Sequence, residues 1–308
     1  MLLGTDPEFV FIGNEGLVSA DIYYPRQNNG RHDNPEIGGD GHPKTVEIRT
    51  SPKSSPKEVV GEIKRIFTAH KDDIPREYAW RAGSFCAGKS LGGHIHFGDI
   101  RVEDGIITAL DGIIGQVVTL LEDTQEAKQR RATEYGKRGD IRVKPWGFEY
   151  RTPASWIVSP EISLGVLALA KACVQEELAQ DAMCIRYLTG NRLQAVANID
   201  RHSFMSVDKS YFLEKLPVLW DVISRYRYFF TEEGRPLWRN VALLKHIALN
   251  YPSWHTEKDL LHRWKVVRRT PSAYLEHFKD KKEKLPPEGI LNAEAVVNML
   301  AGQNNDRR

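Results

Sequence analysis

Cysteine is scarce in this chain: three residues in 308, Cys86, Cys173 and Cys184, and no CxxC pair. So few and so scattered, they exclude a disulfide framework and suit a reducing, intracellular setting. Cys86 has no neighbouring His or base motif, so a cysteine nucleophile is not expected there. Long hydrophobic runs are missing as well. No stretch of about eighteen consecutive apolar residues occurs, so no membrane span is expected. The N-terminus carries no basic segment leading into an apolar core, so no secretory leader is expected and the chain is placed in the cytoplasm. Neither GxxxxGK[ST] nor GxGxxG is present, which removes the Walker loop and the Rossmann turn as phosphate cradles. There is no internal repeat and no low-complexity segment.

What remains is an ordinary globular composition, 27 % charged and 41 % hydrophobic, long enough for one large core or two smaller ones. The net charge of +2 conceals an asymmetry: residues 1–180 balance to −4 and residues 181–308 to +6. A basic C-terminal half could face an anionic partner, but +6 over that length is modest for a nucleic-acid binder. Nucleic acid is therefore neither required nor excluded.

Hydrophobic periodicity divides the chain. Residues 3–12 (LGTDPEFVFI) alternate as a strand, with Asp6, Glu8, Val10 and Ile12 on one face and Phe9 and Phe11 on the other. Pro7 cannot donate to a ladder, so it fits only a strand start or edge. Gly13-Asn14-Glu15-Gly16 predicts a hairpin turn, and a loop rich in Gly, Asn and Asp follows from Arg26 to Pro43. Residues 45–50 form a second alternating strand, and 146–151 a third after a polar connection over 130–144. Ser55-Pro56-Lys57-Glu58 predicts a capped helix to about His70, and Ser159-Pro160-Glu161 another to about Glu177. One long helical pattern covers 103–131. Beyond residue 185 helices are expected over 211–230, 236–249, 257–268 and 293–300, their aromatics at core spacing. The expected organisation is α+β over 1–182, then a mainly helical region over 183–308, separate or part of the same domain.

One short stretch stands out, Gly92-Gly93-His94-Ile95-His96-Phe97-Gly98. In an extended strand His94 and His96 share a face while Ile95 and Phe97 pack the other. Alone, such a pair suggests zinc. Three other expected strands also place ionisable pairs on one face: Asp6/Glu8, Glu47/Arg49 and Glu149/Arg151. Gathered on one antiparallel sheet, these carboxylates would repel one another and shift upward in pKa. Hard divalent cations, Mg²⁺ or Mn²⁺, relieve that crowding better than zinc does. Arg138, Arg142 and Arg151 surround the last of these strands. Cations facing fixed guanidinium groups suit phosphoryl transfer.

Taken in order, Asp6-Pro7-Glu8, Asp40 with Glu47 seven residues later, Gly93-His94-Ile95-His96 and Phe148-Glu149-Tyr150-Arg151 resemble the glutamine synthetase and glutamate–cysteine ligase fold. Gly4-Thr5-Asp6-Pro7-Glu8-Phe9, Val46-Glu47-Ile48-Arg49-Thr50 and Tyr135-Gly136…Arg142…Glu149-Tyr150-Arg151 more closely resemble the carboxylate–amine ligases (amidoligases) of some tailed bacteriophages. The resemblance covers about residues 3–180. It implies a curved antiparallel half-barrel with flanking helices, lining a site for ATP and two or three Mg²⁺ or Mn²⁺ ions. It implies an ATP-dependent ligase that joins a carboxylate and an amine through an acyl phosphate, in the host cytoplasm if phage-encoded, with an oligomer possible. By motif, Glu8, Glu47 and Asp40 would hold the cation nearer the acceptor carboxylate. Asp6, His94 and Glu149 would hold the one bridging the ATP phosphates. His96 would contact the nucleotide, and Arg142, Arg151 and Arg138 the phosphates. Glu47, Glu149, Arg142 and Arg151 would carry the chemistry. Asp6 and Asp40 stand where those synthetases usually have Glu, and Asp33 or Glu36 could serve in place of Asp40. Arg49, without a firm counterpart, is assigned to a substrate carboxylate. Two other readings stay open: a zinc-dependent hydrolase built on His94 and His96 (or a guanidino-type kinase on the same sheet), and a non-catalytic binding module using the basic helical half.

Overall fold

Residues 2–13 do not run as the single strand their alternation suggests. They split at Asp6-Pro7 into β1 (Leu2–Thr5) and β2 (Glu8–Gly13), because Pro7 has no N–H with which to continue a ladder. The computed structural model describes residues 1–25, 34–183, 198–254 and 258–268, without the side chains of 180–183. Asp33, Cys184 and the helix expected over 293–300 lie outside the described residues.

The split places the two halves in different ladders. β1 pairs with β9 (Ile95–Gly98), β9 with β11 (Gly147–Tyr150), and β11 with β10 (Ile141–Lys144), all antiparallel. β2 pairs with β5 (Val46–Ile48), and β5 with β4 (Ile37–Gly39). β2 also pairs with β3 (Gly16–Val18) in the expected hairpin and with β6 (Ala79–Arg81). Backbone bonds close the seam: Glu8 N donates to Gly92 O (2.8 Å), Ile48 N to Pro7 O (3.2 Å), Thr50 N to Thr5 O (3.0 Å) and Lys53 N to Leu3 O (2.8 Å). Together the ladders make a curved antiparallel half-barrel sharing the chain 2–13. β7 (Phe85–Cys86) and β8 (Lys89–Ser90) form a separate small hairpin. β10 falls in the stretch expected to be a polar connection.

Helices cover the sheet. In α1 (Pro56–His70) the Ser55 side chain accepts from Glu58 N and the Glu58 side chain accepts from Ser55 N, the reciprocal cap that the sequence predicts. Its stripe of Val59, Ile63, Ile66 and Phe67 is fully buried. The Phe67 ring meets Phe9 at 5.9 Å, Trp80 at 5.8 Å and Trp264 at 5.2 Å. Ser55→Ala should lower the unfolding free energy by about 1 kcal/mol with activity intact, as read by urea titration.

The expected helix 103–131 is interrupted twice. α2 (Asp104–Leu110) passes through a π-helical turn, Asp111–Gly115, into α3 (Gln116–Leu121). Asp123 then caps α4 (Thr124–Ala132), accepting from Gln125 N and Glu126 N. The span Asp104–Leu121 is long and apolar enough to cross a membrane, but 78 % of it is buried inside the protein, as in a core helix. α5 (Pro160–Met183) buries Ile162, Val166, Leu169, Ala170 and Cys173 and packs on α8 (Trp238–Asn250). α6 (Arg201–Met205), α7 (Lys209–Ser224) and α9 (Leu260–Arg263) complete the helical part. Trp254 and Trp264 are buried, and Trp264 Nε1 donates to Ile157 O at 2.7 Å, so these aromatics serve the core. Residues 1–267 cluster as one unit.

Candidate functional site

Antiparallel register lines up one row across four strands: Gly4 opposite His96, His96 opposite Glu149, and Glu149 opposite Arg142. The alternate residues Ile95, Phe97, Phe148 and Tyr150 are fully buried, with Phe97 and Phe148 stacked at 5.0 Å. Packing of that apolar side fixes the pleat and directs the ionisable row the other way. Asp6, at the Pro7 bend, and His94, just before β9, enter the same space.

Among the described residues one group of acids and histidines has ligand atoms all within 4.8 Å of one another: Asp6, His94 and Glu149. His94 Nδ1 stands 3.2 Å from Asp6 Oδ1 and 3.4 Å from Glu149 Oε1. Glu149 Oε1 is buried and accepts no hydrogen bond, although Arg151 Nε lies 3.1 Å away. The other oxygen, Oε2, faces Arg142 Nη1 at 3.3 Å and Lys144 Nζ at 3.7 Å. Burial raises the Asp6 carboxyl, but hydrogen bonds from His94 and His96 outweigh it and hold Asp6 well below the usual carboxylate range. Burial lowers His94, and the Asp6 hydrogen bond with the Glu8, Asp6 and Glu149 charges outweighs it, so the net shift is upward. Two carboxylates, one imidazole and an orphaned buried oxygen are a donor set that fits a hard divalent cation.

The second expected set assembles beside the first. Glu8 lies directly opposite Glu47 across β2 and β5. Burial and the neighbouring Asp40 raise Glu8 to about 7, against the pull of His94. Burial and Asp40 also raise Glu47, to about 8, despite Arg49. Arg49 Nε donates to Glu47 Oε1 at 2.6 Å, while Arg49 Nη1 is buried without a hydrogen-bond partner. Of the loop acids, Asp40 stands near enough to Glu8 and Glu47 to raise both, whereas Glu36 is paired with Arg65.

Two expected site residues sit differently from the rest. His96 Nε2 meets the same Asp6 Oδ1 as His94, at 3.0 Å, so the two imidazoles converge on one carboxylate oxygen. The His96 ring also lies 5.4 Å from Trp146, which is 44 % exposed on the β10–β11 turn. Arg138 has partners outside this row. Its Nη1 donates to Ile199 O at 2.7 Å and its Nε lies 3.8 Å from Asp111. Cys86, pushed up to about 11 by burial, is no thiolate at neutral pH.

Sequence reasoning missed Lys144 and the role of Tyr135. Lys144 sits two residues after Arg142 on β10, a same-face spacing hidden by reading the segment as a connection. The Tyr135 hydroxyl donates to Glu8 Oε1 at 2.5 Å and lies 3.0 Å from His94 Nε2, touching both acidic sets. Its ring is covered by the guanidinium groups of Arg130 at 5.0 Å and Arg151 at 5.8 Å. Arg130 is buried and donates to Thr152 O and Pro153 O, both at 3.0 Å. Two glycines leave the room. At Gly92 a Cβ would strike His94 Nε2 and the Tyr135 hydroxyl. At Gly136, with φ +69°, it would strike the Arg130 guanidinium.

Residues 3–266 match a family described as phage phiEco32-like COOH.NH2 ligase-type 2, well past the residue-180 limit of the sequence motifs. No curated protein matches the chain in sequence. Among solved structures, the crystal structure of a bifunctional glutathione synthetase from Pasteurella multocida is similar at 12 % identity and a TM-score of 0.38, over 80 % of this chain and 49 % of that one. The chain thus spans about half the length of that protein.

Proposed function

This chain belongs to the phage phiEco32-like COOH.NH2 ligases of type 2, and on that premise we propose that it uses ATP to join a carboxylate to an amine through an acyl phosphate. A carboxylate oxygen attacks the γ-phosphorus and the bond to the bridging oxygen breaks, giving the acyl phosphate and ADP. The amine nitrogen attacks the acyl carbon, and the carbon–oxygen bond to phosphate breaks. Phosphate leaves with the electron pair, and the nitrogen gives up a proton. The single observation that carries the reading is the Asp6–His94–Glu149 cluster set against Arg142, Lys144 and Arg151. It places acidic donors beside fixed cations, as a polyanionic phosphate donor requires.

Within this reading the half-barrel is of the glutamine synthetase type, and Asp6, His94 and Glu149 hold one divalent cation while Glu8, Asp40 and Glu47 hold another. When bound, Mg²⁺ or Mn²⁺ neutralises phosphate oxygens. Arg142, Lys144 and Arg151 pair with Glu149 before substrate enters and turn to the phosphoryl oxygens when it does. Arg49, with its buried and unpaired Nη1, receives the substrate carboxylate. His96 and the exposed Trp146 border the nucleotide. A zinc hydrolase on His94 and His96 is not favoured, because both rings address one oxygen of Asp6 within an oxygen-rich set.

The test is ADP release from MgATP with pooled amino acids, amines and acceptor carboxylates, with Glu149→Ala as the control. No ADP with any acceptor, together with a melting temperature indifferent to Mg²⁺ with or without ATP, would sink the proposal. For the nucleotide edge, His96→Asn should raise the KM for ATP roughly tenfold, the worth of one hydrogen bond of about 1.4 kcal/mol. Wild-type tryptophan fluorescence should respond to MgATP, and Trp146→Phe should remove most of that response. An unchanged KM and an unchanged fluorescence response would move the nucleotide elsewhere.

A further inference from the structure

A phenol has one proton to give, and at Tyr135 two neighbours compete for it. The hydroxyl donates to Glu8 Oε1 at 2.5 Å, and the second contact, His94 Nε2 at 3.0 Å, is then met only if the phenol oxygen accepts. With Glu8 ionised, His94 therefore carries a hydrogen on Nε2; in the charged ring Nδ1 carries a second one, donated to Asp6. In a neutral ring the lone pair falls on Nδ1, the nitrogen 3.2 Å from Asp6 Oδ1 and 3.4 Å from Glu149 Oε1. With Glu8 ionised, the opposite tautomer would ask Tyr135 to donate twice.

The phenol is itself fixed. Glu8 is 1 % exposed, and its other oxygen accepts from Gly92 N at 2.6 Å, so Oε1 is the oxygen left for Tyr135. The ring meets His94 edge-on at 5.9 Å and is braced by the Arg130 guanidinium, which is tied to the backbone after β11. Any side chain at Gly92 would occupy the point where hydroxyl and imidazole meet.

We infer that Tyr135 is a positioning residue that locks His94 in the Nε2–H tautomer, so that Nδ1 is presented with Asp6 and Glu149 to a divalent cation. This rests on the cation reading given above. It adds a chain, Glu8 to Tyr135 to His94, by which the two acidic sets are mechanically joined: the group that orients the phenol belongs to one set, and the ring it orients belongs to the other. Outer partners of this kind fix ring orientation and raise ligand basicity.

The experiment uses the full chain labelled with ¹⁵N-histidine, with Mg²⁺ as the probe and His94→Asn to assign the resonance among ten histidines. In Mg²⁺-saturated wild type, His94 should show a protonated Nε2 and an unprotonated Nδ1. Tyr135→Phe keeps the ring and removes the hydroxyl. It should give mixed or reversed tautomers and a Mg²⁺ dissociation constant raised about 10- to 100-fold by calorimetry, with an unchanged far-ultraviolet spectrum. An Nδ1–H wild type overturns the proposal. So does a Tyr135→Phe protein with wild-type tautomer and affinity. If that variant does not fold, the wild-type spectrum alone decides. A wild type that binds no Mg²⁺ overturns the cation reading instead, and this proposal falls with it.

Discussion

Glu149→Gln should reduce ADP release by about 10³-fold at saturating ATP and Mg²⁺, the scale seen when one preorganised electrostatic partner is removed from a reacting centre. The substitution keeps the volume of a side chain that is 1 % exposed, so the pleat and the Phe97–Phe148 stack behind it should survive. What it removes is charge. Glu149 stands within ion-pair distance of Arg142, Lys144, Arg151 and His94. A neutral amide leaves those cations uncompensated before substrate arrives and offers a cation one oxygen in place of two. If the amide nitrogen takes the Oε1 position, it turns a donor toward the point where a cation needs an acceptor. Steady-state ADP release and Mg²⁺ calorimetry on the same preparation check the result. A variant that keeps more than about a tenth of wild-type turnover would remove Glu149 from the reacting centre.

Why some of this was readable in the sequence, and some not, follows from the range of each interaction. The His94/His96, Glu47/Arg49 and Glu149/Arg151 pairs were legible because strand geometry repeats every two residues. The α1 cap was legible because Ser55, Pro56 and Glu58 act within one turn. The break at Pro7 was signalled by a missing N–H, yet the apolar alternation on both sides argued for one strand, and the pattern prevailed over the proline. β10 escaped because Val143 is 68 % exposed, so neither face of Ile141–Lys144 carries a buried signature. Glu36 is engaged by Arg65, a partner on α1 that loop spacing does not reveal. Tyr135 contacts Glu8 from 127 residues away and His94 from 41, and no local period encodes such contacts. The interruption of 104–121 at Asp111 is likewise non-local. It is met by the Tyr150 hydroxyl at 2.9 Å and by Thr152 at 3.3 Å.

Without divalent cations the protein should lose stability as the pH rises from about 5 to about 8.5, and Mg²⁺ should restore most of the loss. A carboxyl whose folded pKa lies above its unfolded value contributes stability that is complete below the unfolded value and is lost as pH climbs through the folded one. Glu8, raised from 4.5 to about 7, and Glu47, raised from 4.5 to about 8, both behave this way. His94, also raised, acts in the same direction, since its charged form is the one that Asp6 and Glu149 stabilise. Asp6 is held low, so its contribution is lost only in strong acid, outside this window. A cation bound to the ionised acids removes the crowding. At a hundred times its dissociation constant it adds about 2.7 kcal/mol, which is roughly 5–10 °C in melting temperature for a unit of this size. Urea and thermal melts at pH 6 and 8.5, in EDTA or in Mg²⁺ with ionic strength matched by NaCl, measure both effects. Glu47→Gln separates charge crowding from general loss of packing. At pH 8.5 in EDTA it should be more stable than wild type, because a buried amide carries no charge, and it should lose part of the Mg²⁺ response, the Asp6–His94–Glu149 set being intact. A flat metal-free profile, or a Glu47→Gln protein that still gains the full increment from Mg²⁺, would show that these carboxylates are not crowded around a cation site.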